Sequence, residues 1–266
     1  MRTDLHMHCY YSADSDAHPN NMIKSAISKG LKYICFTDHQ DWDFPYDDIK
    51  FEFDTDQYFE ELNSYKELYS GRITILIGVE LGLQPHLSEK YNLYLQKYPF
   101  DFCIGSSHVV NGMDPYYPEF FEGREEKDGY LEYYQSILDN LNSNTLIDVY
   151  GHIDYILRYG PSKNSKYGYC EFSDIIDEIL KKIIESGKGI EINTAGFRYK
   201  LGHPNPEEAI IKRYKELGGE IVTVGSDAHK PLDIAFSYDK VPDILKNCGF
   251  DYYTVFSKRK PQFIKL

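Results

Sequence analysis

The chain has 266 residues, 42% hydrophobic and 27% charged, enough to bury a sizeable core and suited in length to one α/β barrel. Its net charge of −13 argues against sequence-independent binding to nucleic acid or to an anionic membrane surface. An anionic ligand therefore needs local cations, which bound metal can supply. Five cysteines without a Cys-x-x-Cys spacing, no apolar leader, and no run approaching about 18 apolar residues predict a cytoplasmic protein with free thiols.

Strand-like and helix-like runs alternate, the pattern of βαβ units in a parallel sheet. The first strand covers Thr3–His8. Residues two apart on a strand share a face, so His6 and His8 aim two imidazoles at one point. Asp14 follows in a polar loop that can fold back over it. Alone, His-x-His is weak evidence for a metal, and a strand with two incidental histidines fits it equally well. A helix over Asn20–Lys29 is closed by Gly30. The second strand, Lys32–Thr37, leads directly into Asp38-His39. Thr55–Tyr69 has helical apolar spacing behind an Asp54 or Thr55 cap. Strand Ile73–Val79 ends at Glu80, helix Ser88–Lys97 follows, and strand Phe102–Gly105 ends in Ser106-Ser107-His108.

Val109–Gly129 has no clear periodicity, and a stretch of this length inside a compact domain predicts a lid or binding loop. A helix over Tyr130–Leu141 precedes strand Leu146–Tyr150, which ends in Gly151-His152. Asp154–Cys170 connects to helix Ser173–Glu185, and strand Gly189–Ile192 ends at Asn193. Asn205-Pro206-Glu207-Glu208 has the cap, proline and acids of a helix start, and Gly218 ends that helix. Strand Ile221–Val224 runs into Gly225-Ser226-Asp227-Ala228-His229. A helix over Val241–Asn247 and a strand over Tyr252–Phe256 complete the chain, which shows no repeat or linker and reads as one domain, 1–266.

Strand after strand thus ends on a metal-competent residue: His6 and His8, His39, Glu80, His108, His152, then Asp227 with His229. Six of the nine histidines fall at these ends. Parallel barrels build their active sites at the C-terminal ends of their strands, so closure would bring all these side chains to one mouth. For each histidine alone a structural role is the simpler reading; for the set, a metal site is. Clustered divalent ions suit phosphoester hydrolysis by in-line attack of a metal-bridging hydroxide. Arg158 and Arg198, in loops after the fifth and sixth strands, offer planar forks for phosphate, although most loop arginines are simply solvated. Asn193 either contacts substrate or caps a turn. Asp154 or a metal-bound water is the candidate acid for the leaving group. His18, His86 and His203 read as exposed loop residues. Trp42 and the Tyr116–Phe121 cluster read as loop packing rather than an apolar wall.

His6-x-His8, Asp38-His39, Glu80, Ser107-His108, Gly151-His152 and Ser226-Asp227-x-His229 resemble, in order, the motifs of the PHP (polymerase and histidinol phosphatase) superfamily. Glu191-Ile192-Asn193-Thr194-Ala195-Gly196-Phe197-Arg198 is similar to its histidinol-phosphate phosphatases. The resemblance implies a distorted, TIM-like (β/α)7 barrel and a centre of three divalent ions, zinc, manganese or iron. One ion would take His6, His8 and Asp227. Glu80 would bridge it to a second, held by His108 and His152. Asp14, His39 and His229 would hold the third. Glu80 and Asp227 would position the hydroxide, and Arg158 and Arg198 match loops that bind phosphate. Some members carry histidine where Asp14 stands, and a carboxylate shifts that site toward manganese or iron. The implied substrate is L-histidinol phosphate, the reaction its dephosphorylation in histidine biosynthesis; another small phosphomonoester is the alternative. An amidohydrolase-type enzyme also begins with His-x-His, but its bridging group is usually a carboxylated lysine, and Glu80 stands at the comparable strand end. A non-catalytic binding protein on a retired barrel is disfavoured by nine competent ligand positions, and a polymerase-linked exonuclease by the acidic charge.

Overall fold

The computed structural model describes residues 2–46 and 48–266. Seven parallel strands form a nearly closed barrel: β1 (Thr3–Met7), β2 (Tyr33–Phe36), β4 (Thr74–Gly82), β5 (Phe102–Ser106), β6 (Val149–Tyr150), β7 (Gly189–Asn193) and β8 (Val222–Gly225). The two-residue β3 (His39–Gln40) continues the line of β2 and pairs with β4, setting His39 opposite Glu80. Between β8 and β1, a parallel bridge joins Met7 to Ala228, His8 N–H donates to Ala228 O at 2.9 Å, and Asp227 N–H to His6 O at 2.8 Å. The chain's start and far end therefore meet at the strand ends. Close approach there requires glycine: a Cβ on Gly225 would collide with His6 Cβ and Glu191 Oε1.

Helices wrap the outside, as βαβ crossovers require. They are α1 (Pro19–Ser28), α2 (Thr55–Leu68), α3 (Ser88–Lys97), α4 (Glu126–Asn142), α5 (Ser173–Glu185), α6 (Ala195–Arg198), α7 (Glu208–Glu216) and α8 (Val241–Asn247). In α5, Ile176, Ile179, Leu180 and Ile183 recur at helical spacing and are all buried. Each such side chain contributes roughly 1.5–3 kcal/mol. The strands carry apolar residues on both faces, and β4 is buried everywhere except Thr74.

Four segments differ from the sequence reading. The stretch 109–129 is largely ordered: Asn111 (φ 48°) and Gly112 (φ 78°) make a tight turn, with Val110 and Met113 exchanging backbone hydrogen bonds at 2.8 and 3.0 Å. A one-turn helix covers Pro118–Phe121, and α4 begins at Glu126 rather than Tyr130. Strand β6 is only two residues long, short of the expected Leu146–Tyr150. Helix α7 starts at Glu208 with Glu207 as N-cap, and Asn205 is pinned to the end of β7 by reciprocal backbone bonds with Asn193 at 2.7 and 2.8 Å. After β9 (Tyr252–Ser257) the chain turns back as β10 (Lys260–Lys265), whose mostly exposed side chains give no burial pattern to read.

Candidate metal centre

The strand ends bring the predicted ligands into contact. His6 Nε2 lies 3.0 Å from His8 Nε2, 2.9 Å from Glu80 Oε2 and 3.8 Å from Asp227 Oδ1. His8 Nε2 is 3.5 Å from both Glu80 Oε2 and Asp227 Oδ1. The other Glu80 oxygen, Oε1, is 3.0 Å from His152 Nε2 and 3.4 Å from His108 Nε2. Asp14 Oδ2 is 2.9 Å from His229 Nε2 and 3.8 Å from His39 Nε2. The Glu80 carboxylate thus spans two groups of ligands, and Asp14, His39 and His229 form a third. His39 also sits between groups, with Nδ1 3.4 Å from Glu80 Oε2.

Proton assignment shows what these atoms require. His6 Nδ1 lies 2.6 Å from Glu191 Oε1, and a carboxylate oxygen only accepts, so Nδ1 carries the proton. Ser12 Oγ donates to Asp38 Oδ1 at 2.9 Å, so it accepts from His8 Nδ1 at 2.9 Å. His108 Nδ1 donates to Asp41 Oδ2 at 2.6 Å. In the neutral rings the three Nε2 atoms are then bare lone pairs, aimed at one another and at carboxylates. His39 Nδ1 and His152 Nδ1 are buried without a hydrogen bond among the described residues. Lone pairs and anionic oxygens at this density need cations between them, and imidazole with carboxylate is a donor set for zinc, manganese or iron. His6, His8 and His108 are buried, and their opposite nitrogens are held by carboxylate or hydroxyl partners, as in metal-binding histidines generally.

The electrostatics agree. Burial pushes the Glu80 carboxyl up, but His6, His39 and His108 outweigh it and hold it well below the ordinary carboxylate range. Asp227 is likewise buried and held well below, mainly by His6, His8 and Arg158. Burial pulls His8 down, reinforced by His229 and His39, which favours the neutral ligand form. Burial also acts to lower His6, yet Glu191, Glu80 and Asp227 raise it, so this point draws positive charge.

All of these ligands except His6 and His8 line a cavity of about 250 Å³, sized for one small molecule. Arg158 and Arg198 both line it. Arg158 is buried and donates to Asn205 Oδ1 at 2.9 Å, Asp227 Oδ2 at 2.9 Å and Asn193 Oδ1 at 3.1 Å. Arg198 donates to Ser226 O at 3.1 Å and Asp227 O at 2.8 Å. These contacts fix both forks and hold Asp227, whose φ of 53° is uncommon for a residue with a Cβ. Phe44, Phe51, Tyr116, Tyr117, Tyr155 and Tyr159 form the apolar part of the wall, and no lysine lines it among the described residues. Asp114 also lines it, its carboxyl pushed up to about 6 by burial against one backbone hydrogen bond from Tyr116.

Some sequence expectations change, whereas Trp42 as packing and His86 as an exposed residue stand as read. Asn193 does not line the cavity; it is fully buried behind Asp227, accepting from Arg158 and Ala195 N–H and donating to Glu191 and Asp227. Asp154 is no candidate acid: it is buried outside the cavity, its oxygens engaged by Asn205 Nδ2 at 2.6 Å and Glu207 N–H at 2.8 Å. Trp42 is packing, stacked on Tyr91, whereas Tyr116 and Tyr117 are wall. His18 is exposed but caps α1, His86 pairs with Asp43 on the surface, and His203 is half-buried against Pro204 O. Sequence reasoning gave no role to Asp41 or Glu191, the carboxylates behind His108 and His6. Their signal was faint: one follows His39 by two residues, and the other precedes Asn193 by two.

Comparison with known proteins fits this geometry. The model of the PHP domain matches residues 4–195. A histidinol-phosphatase of Lactococcus lactis is 32% identical, covering 97% of this chain and 96% of its own. A probable histidinol-phosphatase of Clostridium acetobutylicum is 36% identical over 94% of each chain. The crystal structure of the Lactococcus lactis histidinol phosphate phosphatase, complexed with zinc, L-histidinol and phosphate, superposes with a TM-score of 0.90 at 31% identity over 98% of both chains. By the extent of these matches, and with a barrel whose strand ends converge as described, the chain belongs to the PHP domain family.

Proposed function

We propose that this chain is a metal-dependent histidinol-phosphatase, hydrolysing L-histidinol phosphate to L-histidinol and phosphate. The observation that carries it is the convergence of nine ligand side chains beside two cavity-lining arginines, in a chain so extensively similar to histidinol-phosphatases. His6, His8 and Asp227 would hold one ion, His108 and His152 a second, with Glu80 shared between them, and Asp14, His39 and His229 would hold a third. When bound, the ions supply a nucleophile from water near neutral pH and offset the charge of the phosphate. The protein's own groups do the rest. Glu80 and Asp227 fix the geometry in which the nucleophile meets phosphorus. Arg158 and Arg198, immobilised by their other bonds, present N–H groups to phosphate oxygens and so bind charge without reorganising. The aromatic wall excludes water and receives the imidazole-bearing end of the substrate. Among the described residues no helix is long and apolar enough to cross a membrane, and the site is built for a small molecule.

The test is a phosphatase screen on purified, metal-loaded protein. L-histidinol phosphate is expected to give a kcat/KM well above that of sugar phosphates and nucleotides. Faster turnover of either of those classes would contradict the assignment.

A further inference from the structure

Away from the metal centre, a second cavity of about 340 Å³ opens where the β9–β10 hairpin passes the starts of β1 and β2. It shares no lining residue with the first. Arg2, Lys32 and Lys265 line it, and no acidic side chain does among the described residues. The sheet forces two of these cations together. Thr3 pairs with Tyr33, and Lys32 N–H donates to Arg2 O at 2.7 Å, so Arg2 and Lys32 stand side by side at adjacent strand starts. Like charges placed across paired strands repel. None of these cations is ion-paired among the described residues, although the chain has 42 acidic side chains against 29 basic ones.

The cavity is graded from mouth to floor. Arg2, Lys32 and Lys265 are exposed and make the mouth positive. Tyr33, Pro242 and Ile264 give it an apolar wall. At the floor Thr3 is only 2% exposed, and its Oγ1 has no hydrogen-bond partner among the described residues. The buried Tyr253 stands beside it. A buried hydroxyl without a partner is destabilising until an atom reaching the floor pairs with it. We propose that this cavity binds a small planar carboxylate bearing a hydroxyl at its far end. The carboxylate lies among the cations of the mouth, the ring against the apolar wall, and the hydroxyl at Thr3 Oγ1. A bare inorganic anion would serve the mouth alone.

The test titrates 4-hydroxybenzoate into the metal-loaded protein by calorimetry. One site with a Kd at or below about 1 mM is expected. The uncharged 4-hydroxybenzamide should bind at least about tenfold more weakly, and so should 4-hydroxybenzoate to Lys32→Gln/Lys265→Gln, the scale of a charge-assisted contact. Benzoate should bind more weakly than 4-hydroxybenzoate to wild type and equally to Thr3→Val, which removes the floor hydroxyl at nearly constant shape. Absence of binding, or an amide bound as tightly as the acid, would overturn the proposal. Binding that survives Lys32→Gln/Lys265→Gln would overturn it too, because a carboxylate held by the metal ions would behave that way. Inorganic phosphate competing as strongly as 4-hydroxybenzoate, or benzoate binding wild type as tightly, would overturn the ligand class.

Discussion

At the N-terminal end of the barrel, Asp148 accepts from Cys103 N–H at 2.8 Å and from Arg259 Nε at 2.5 Å. Nearby Asp101 accepts from Ile77 N–H, Lys258 N–H and Lys66 Nζ. Each of these carboxylates meets donors enough to settle its charge. At the C-terminal end, Glu80, Asp227, Asp14, Asp41 and Glu191 crowd together with imidazole lone pairs, and the cationic side chains lining that cavity are Arg158 and Arg198. Around Asp101 and Asp148 the lower end is a finished structural plug. The upper end is electrostatically incomplete in itself, and its missing component is positive charge. Both ends are buried, so burial alone does not mark function; what marks it is polar groups whose needs the protein does not meet.

Substitution at the upper end should cost far more activity than stability. Glu80→Gln is expected to lower kcat/KM by about 10³-fold or more. The metal-stripped variant should still fold, its thermal midpoint lowered modestly because the carboxylate that His6, His39 and His108 hold ionised has gone. Calorimetry beside the activity assay checks both parts, and a large drop in midpoint would put Glu80 among the structural residues. One layer back, Asp41→Asn or Glu191→Gln replaces the anionic acceptor that fixes the tautomer of His108 or His6 with a neutral amide that can also donate. Metal affinity should fall about 10–100-fold while the fold persists, measured by competition with a chromophoric chelator.

The lower end should behave in the opposite way. Arg259→Met leaves Asp148 with fewer donors and is expected to cost roughly 1–3 kcal/mol of stability at neutral pH, with kcat unchanged. The sign of the pH dependence follows. Burial already raises the Asp148 carboxyl above its ordinary value, against the pull of Arg259, and losing the arginine raises it further. The deficit is therefore full above that raised value and shrinks as pH falls through it toward the wild-type folded value, below which the carboxyl is protonated in both proteins. Denaturant unfolding at several pH values measures it, and a deficit that stayed constant or grew in acid would remove Asp148 from the explanation.

The same contrast explains what the sequence could and could not show. The ligands were legible because each falls at a strand end, and parallel closure turns that repeated position into one place in space. The helices were legible from periodicity, as in α5. Asp41 and Glu191 were not, because a carboxylate behind a histidine is defined only once β1, β4, β5 and β7 stand side by side. Asn205 looked like a helix cap because cap chemistry is local, whereas its actual partners, Asn193 and Arg158, come from the end of β7 and the connection after β6. The β9–β10 hairpin turns through Lys258 and Arg259 at positive φ, residues that carry no turn signal. The Asn111-Gly112 turn did carry one, and it places Asp114 in the cavity.

If metal completes the upper end, turnover must follow metal content. Stripping the protein with a chelator should abolish L-histidinol phosphate hydrolysis, and zinc or manganese is then titrated back while bound metal is counted by elemental analysis. Turnover is expected to return in step with bound metal and to level off near three ions per chain. Full turnover in the stripped protein, or a plateau at a single ion, would contradict it.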